Sequence, residues 1–389
     1  MTTLWDTTGT AVVKALAAER RSGGAVTSGI ALTLVLVVEE AHIAVAEAAA
    51  SVAASRHPMR VLIVIRRQID APTPRLDAEV LIGGRLGPGE SIVMRMYGRL
   101  ALHAESVTLP LLAPDAPVVT WWYGPPPDRI AFDPLGVSAD RRITDAARAE
   151  DPMAALRQRG ADYASGDTDL AWTRITPWRA LLASALDTAT ATAASASVEG
   201  DVDDPSTHLM AGWLAASFGF DVPVTPRRGG GIRAVGIGFD DGGSFSAERD
   251  GERVVLRRSG APDSIAPFPD RELGDLLAEE LRRLDADQTY ARALSIVSGV
   301  PNLEDRPATR THIWIDPALV EAPASEVVAP EVVANEAPAG SGLHDPAAVA
   351  PSGDSVENQG ARPLPPDADT VAQDTTAQDN TAQDKEQSA

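Results

Sequence analysis

Residues 30–66, IALTLVLVVEEAHIAVAEAAASVAASRHPMRVLIVIR, decide the architecture. The two ends, Ile30–Val38 and Arg60–Arg66, are apolar runs dominated by Val, Leu and Ile. A half-exposed strand alternates apolar and polar residues, whereas a strand covered on both faces does not, so both runs read as buried strands. The Ala-rich residues 39–55 between them read as a helix. A strand–helix–strand unit of this kind sets its two strands side by side and parallel.

Working outward, Leu4–Arg21 reads as a short helix ended by Ser22-Gly23-Gly24. Strands are expected at Leu76–Ile82 and Ser91–Tyr97, joined by GGRLGPGE, a Gly/Pro turn suited to a hairpin. Leu109–Leu112 and Pro117–Trp122 then return the chain to the sheet. Residues 1–160 are thus expected to form an N-terminal α/β domain with a mixed, partly parallel sheet. Residues 161–316 read as a C-terminal α+β domain. Thr176 and Pro177 open a helix to residue 187, and a second helix covers about 205–219. Strands at 232–239, 243–249 and 252–258 are separated by Asp-Asp-Gly-Gly and Asp-Gly-Glu, which is antiparallel-meander chemistry. Leucines 273, 276, 277, 281 and 284 predict one long helix from about 270 to 296. Residues 317–389 are rich in Pro, Ala, Asp and Glu, with Ala-Gln-Asp recurring every five residues, and read as a disordered acidic tail.

Charge and composition narrow the function. The chain of 389 residues carries a formal net charge of −21. Beyond Val320 there are 13 acidic and 2 basic residues, so the tail supplies −11 of it. No basic stripe runs through the body, which argues against nucleic acid as a partner. There is no Cys, so disulfides, thiolate nucleophiles and Cys-ligated metals are excluded. The start, MTTLWDTTGT, lacks a secretory signature, and the longest apolar run falls well short of the ~20 residues of a membrane span. A cytoplasmic protein without a membrane segment is expected. The six His form no HExxH and no close pair, and neither GxxxxGK[ST] nor GxSxG occurs. Gly229–Gly231 precede a strand rather than a helix and read as a connector. No catalytic group, metal or cofactor is expected.

With aromatics at only 4% of the chain, two concentrations of Trp and Arg stand out. In VVTWWYGPPP, Trp121 and Trp122 are neighbours on one strand and must face opposite sides of the sheet. Both could be core, or one could reach the strand's carboxyl end, where open α/β sheets place ligands or partners. Downstream, Arg141 and Arg142 are either a solvated edge or a pair meeting acidic groups of another protein. In GDTDLAWTRITPWRALLASALD (166–187), Asp167 and Asp169 precede Trp172, Arg174, Trp178 and Arg179. Two carboxylates so close invite an acid/base reading, but local ion pairing is the simpler account. Trp and Arg are enriched at interface hot spots. The candidate partner-binding residues are therefore Trp121, Trp122, Arg141, Arg142, Asp169, Trp172, Arg174, Trp178 and Arg179.

These segments, with DPLGVSADRRITDAAR, RLDAEVLIGG, RSGGAVTSGIALTLVLVV and DDPSTHLMAGWLAASFGF, resemble the glucose-6-phosphate dehydrogenase assembly protein family, OpcA. The resemblance runs through roughly residues 4–316. It implies a non-catalytic partner that binds glucose-6-phosphate dehydrogenase, favours its active assembly and raises its response to glucose 6-phosphate, supporting NADPH supply by the oxidative pentose phosphate route. In some members thiols make the effect redox-dependent; a chain without Cys has no such switch. The rival expectation is a sensor module for a sugar phosphate or nucleotide, with its pocket at the end of the Trp121 strand beside Arg141 and Arg142.

Overall fold

The computed structural model describes residues 1–22, 29–83, 89–187 and 190–307. The expected disordered tail, and the middle of the GGRLGPGE turn, lie outside them.

Eight strands form the first sheet: β1 (Thr2–Leu4), β2 (Leu32–Val37), β3 (Met59–Arg67), β4 (Arg75–Ile82), β5 (Glu90–Tyr97), β6 (Val118–Trp122), β7 (Arg141–Thr144) and β8 (Asp167–Asp169). They lie in the order β1-β4-β5-β3-β2-β6-β7-β8. From β5 to β8 every pairing is parallel; β4 and β1 add an antiparallel edge. The mixed α/β class expected from the sequence is what the chain adopts. Numbered along the chain, the parallel strands run third, second, first, fourth, fifth, sixth, the order of doubly wound nucleotide-binding sheets.

The strands are apolar throughout because both faces are covered. Helix Ile43–Arg56 and helix Leu273–Glu280 lie over Leu34, Leu36, Val61, Ile63 and Trp121. Helix Gly9–Ser22 and the short turns of residues 99–111 lie over Val35, Leu62, Val64, Ile92 and Met94. Leu276, Leu277 and Leu281, from late in the chain, thus close a face built by its first third. Close approach is secured at Gly274, where a Cβ would meet Val52 at 2.6 Å, and by the His57 Nε2–H, which donates to the Ala278 carbonyl at 2.9 Å.

The second sheet has six strands: β9 (Ala193–Gly200), β10 (Val224–Pro226), β11 (Ile232–Phe239), β12 (Ser244–Asp250), β13 (Arg253–Arg258) and β14 (Ser264–Pro267). Their order is β10-β9-β11-β12-β13-β14, and all pairings but β10–β9 are antiparallel. One face packs Val198, Val235, Ile237, Phe245 and Val254 against helices Pro152–Asp162, Thr176–Asp187, Pro205–Phe218 and Gln288–Ser298. Three of these helices begin with an Asp cap, from Asp151, Asp204 and Asp287. Two end on glycines in the left-handed region, Gly219 and Gly299.

Three sequence expectations change. Leu109–Leu111 is a 3₁₀ turn rather than a strand, because Pro110 cannot donate to a ladder. The single helix expected over 270–296 is two, since the Asp287 side chain accepts from Thr289 and Tyr290 and starts a new helix there. The N-terminal helix begins at Gly9, after β1.

Candidate functional site

Residues 166–187 are where the first sheet passes into the helices that carry the second. β8 is the short polar string Asp167-Thr168-Asp169, buried beside β7. Such a strand is stable inside only if its carboxylates find partners. Asp167 pairs with Arg142, whose side chain is fully buried and also donates to the carbonyls of Ala139 and Ser165. Burial depresses the Arg142 pKa, and the Asp167 charge opposes that shift. Asp169 accepts from the Thr144 hydroxyl at 2.6 Å and from the amides of Ala146 and Ala171 at 2.9 Å. Burial and the neighbouring Asp145 still push its pKa up.

The network continues across the chain. Arg141 pairs with Glu280 and donates to the Asp285 carbonyl, and Glu280 also accepts from Thr173 Oγ at 2.5 Å. The Trp172 indole N–H donates to Asp287 at 2.8 Å. Arg174 makes a two-pronged pair with Asp145 at 2.6 and 2.7 Å. Burial pulls the Arg174 pKa down, but the bonds and charge of Asp145 outweigh it and hold it above the ordinary value. Arg179 lies 3.6 Å from the centre of the Trp172 ring and donates to Thr176. The pairing is therefore long-range, not local as the sequence suggested: Asp167 takes Arg142, and Arg174 takes Asp145.

This placement sorts the nine candidate residues. Trp121 and Trp122 occupy opposite faces of β6 as expected, and both are buried, Trp121 edge-on to Tyr123 at 5.7 Å. Arg141, Arg142, Asp169 and Trp172 are also turned inward and satisfied by this chain's own groups. A partner cannot touch these six in this conformation. Trp178 is nearly buried against Phe268, with ring centres 4.9 Å apart, and its segment forms one wall of an open cleft. Only Arg174 and Arg179 remain half-buried.

That cleft, about 910 Å³, was not anticipated. Arg174, Arg227, Arg228, Arg233, Arg249 and Arg271 line it, against the carboxylates Asp204, Glu252 and Asp270. Its glycines Gly229, Gly230 and Gly231 all have positive φ, 114°, 77° and 71°, a backbone other residues rarely adopt. The signal was the string Arg-Arg-Gly-Gly-Gly-Ile-Arg (227–233), unusual in an acidic chain; the other three arginines, Arg174, Arg249 of β12 and Arg271, meet it only on folding.

A smaller cavity, about 470 Å³, lies at the carboxyl ends of β6, β7 and β8, near the place the sensor expectation chose. Its charged walls are Asp128, Asp145, Arg148, Glu150, Arg159 and Asp169; Arg141 and Arg142 are not among them. At the switch point between β2 and β6, where a dinucleotide would lie, the residues do not fit one. No glycine-rich turn follows β2, and Val38 leads into Glu39 and Glu40, whose charges repel a pyrophosphate. Glu40 is engaged by Arg67 and Arg95, and the His42 ring packs 5.7 Å from that of Tyr123. Among the described residues no group of three His, Cys, Asp or Glu side chains is placed to hold a metal, and no helix is long and apolar enough to cross a membrane.

Comparison with known proteins gives two family matches in tandem. Residues 50–161 match the glucose-6-phosphate dehydrogenase subunit N-terminal domain, and residues 165–294 match the C-terminal domain of the same subunit. No curated protein matches. Among solved structures, yvaA of Bacillus subtilis, named for an oxidoreductase, aligns over 71% of this chain and 98% of its own at 8% identity, with a TM-score of 0.35. A likeness that slight carries no argument.

Proposed function

Since the chain belongs to the OpcA family of glucose-6-phosphate dehydrogenase assembly subunits, we propose that it is a non-catalytic partner which binds that enzyme and favours its active form. The observation that carries this reading is the tandem match, which spans both the sheet of β3–β7 and the joint of residues 166–187. In this reading the chain works in the cytoplasm and supports NADPH production without making or breaking a bond itself.

The physical content is a coupling free energy. If the chain binds the enzyme's active conformation better than its inactive one, the enzyme's affinity for substrate rises by that same ratio, typically about 5–150-fold. Arg174 and Arg179 are the candidates that can meet acidic groups on the enzyme, since their guanidinium groups keep part of their surface. The inward-facing tryptophans and arginines then act indirectly, by holding the rigid joint on which those two side chains stand.

Mixing the two purified proteins tests the proposal. A co-eluting complex and a lower half-saturating concentration of glucose 6-phosphate are expected. Separate elution at micromolar concentration, with unchanged kinetics, overturns it.

A further inference from the structure

We infer that the arginine-lined cleft beside Trp178 is a binding site for a small phosphate ester. This does not rest on the dehydrogenase reading. The guanidinium groups there fall into two sets. Arg174, Arg233 and Arg271 are tied into the walls: Arg174 to Asp145, Arg233 to Glu248 at 3.1 Å, and Arg271 to Glu279 at 2.6 Å and the Thr173 carbonyl at 3.0 Å. Arg249 is half-buried, with its Nε–H donating to the Gly251 carbonyl at 2.9 Å, and only Arg227 and Arg228 are held loosely or not at all. Among the described residues Arg228 has no hydrogen-bond or ion-pair partner. Arg227, 59% exposed, reaches the half-buried Glu199 only at 3.3 Å, and Asp270, which Arg249 also reaches, is 86% exposed. Exposed pairs of this kind contribute little and exchange readily for a better acceptor.

A phosphate is that acceptor. Its oxygens match guanidinium forks, and each such bond is charge-assisted. The glycine turn supplies the second element. No described residue accepts from the Gly229 or Gly230 amides, and nothing lies within 4 Å of where a Cβ would sit on either, so a ligand can approach the backbone itself. The hydroxyl of Ser206, which also lines the cleft, is buried with no hydrogen-bond partner. The neighbouring helix start is not the site, because the Asp204 carboxylate already caps it. Pro177, Trp178, Phe268 and Pro269 provide an apolar wall for the body of the ligand, so an ester is favoured over inorganic phosphate.

Calorimetric titration of the full chain at low ionic strength, with inorganic phosphate, a hexose 6-phosphate, adenosine monophosphate and the unphosphorylated hexose, tests this. At least one ester should bind about tenfold or more tighter than both inorganic phosphate and the bare sugar. The two ester arms show whether the body is a sugar or a nucleoside. Arg227→Ala with Arg228→Ala should weaken that binding about tenfold or more while the melting temperature stays unchanged. Absence of ester binding at millimolar concentration overturns the inference, and so does binding that the double variant leaves intact. If no ester binds but the double variant loosens the complex with the dehydrogenase, the cleft belongs to an acidic protein segment; the inference then falls and the proposed function stands.

Discussion

The joint of residues 166–187 and the cleft beside it use the same residue, arginine, to opposite ends. Against the joint, Arg141 and Arg142 of β7 are sealed from water, and each finds a carboxylate and at least one main-chain carbonyl. In the cleft Arg228 stands exposed and unpaired among the described residues, and the exposed Arg227 reaches Glu199 only at 3.3 Å. Burial decides the difference. A charge taken out of water must be matched by the protein, and once matched it has nothing left to offer a ligand. A charge left at the surface contributes little to the fold and keeps its bonds for something else.

If that contrast is right, Arg142→Ala should be the most damaging change. It leaves Asp167 charged and buried without its partner, a loss of about 3–5 kcal/mol. A thermal melt should fall by several degrees or more; a shift too small to measure would mean the pair is dispensable and the joint is not what holds β8 in place. Arg174→Ala comes next. Its guanidinium is partly exposed, but Asp145, its partner, is only 1% exposed, so the loss should be about 1–3 kcal/mol. Adding Asp145→Asn to that variant should restore part of the stability, because the stranded charge is gone. A chemical denaturation cycle over the four proteins reads this directly, and the same set shows whether complex formation weakens beyond the stability effect.

A smaller, pH-dependent effect should come from Asp162. Burial first, and then the nearby Asp167 charge, raise its pKa from 3.8 to about 6. The folded protein therefore holds this proton more tightly than the unfolded chain does. The stabilisation is fully present below about pH 4 and is lost as the pH rises through 6. Asp162→Asn should flatten that part of a stability-against-pH curve; a curve identical to the parent's would show that Asp162 titrates normally. The smallest effect belongs to the cleft. Arg227→Ala and Arg228→Ala should each leave stability within about 0.5 kcal/mol, and a larger loss would move them into the structural set.

The parts of this arrangement visible in the sequence are those that announce themselves locally. β2 and β3 were legible because strands covered on both faces need no polar residues, and the 232–258 meander because its turns carry Gly and Asp. β8 was hidden because its three polar residues look like a loop until the arginines of β7 are placed beside them. β9, Ala-Ala-Ser-Ala-Ser-Val-Glu-Gly, was hidden because small residues give no hydrophobic period. The leucines of 273–284 suggested one helix because their spacing survives up to the Asp287 cap that interrupts it. The sequence singled out 166–187 as unusual, and the structure places that stretch where the first sheet passes into the helices carrying the second. Whether a given Trp or Arg points inward depends on residues a hundred positions away, such as Glu280 and Asp287, and no local pattern carries that.

Helix Leu273–Glu280 has a consequence for how the chain is made. The strands and first helices that it covers leave the ribosome long before residue 273 does, so one apolar side of the nascent sheet stays bare for much of synthesis. A polypeptide halted near residue 160 should therefore be sticky, drawing chaperones or precipitating, and supplying the missing C-terminal half in trans should rescue it.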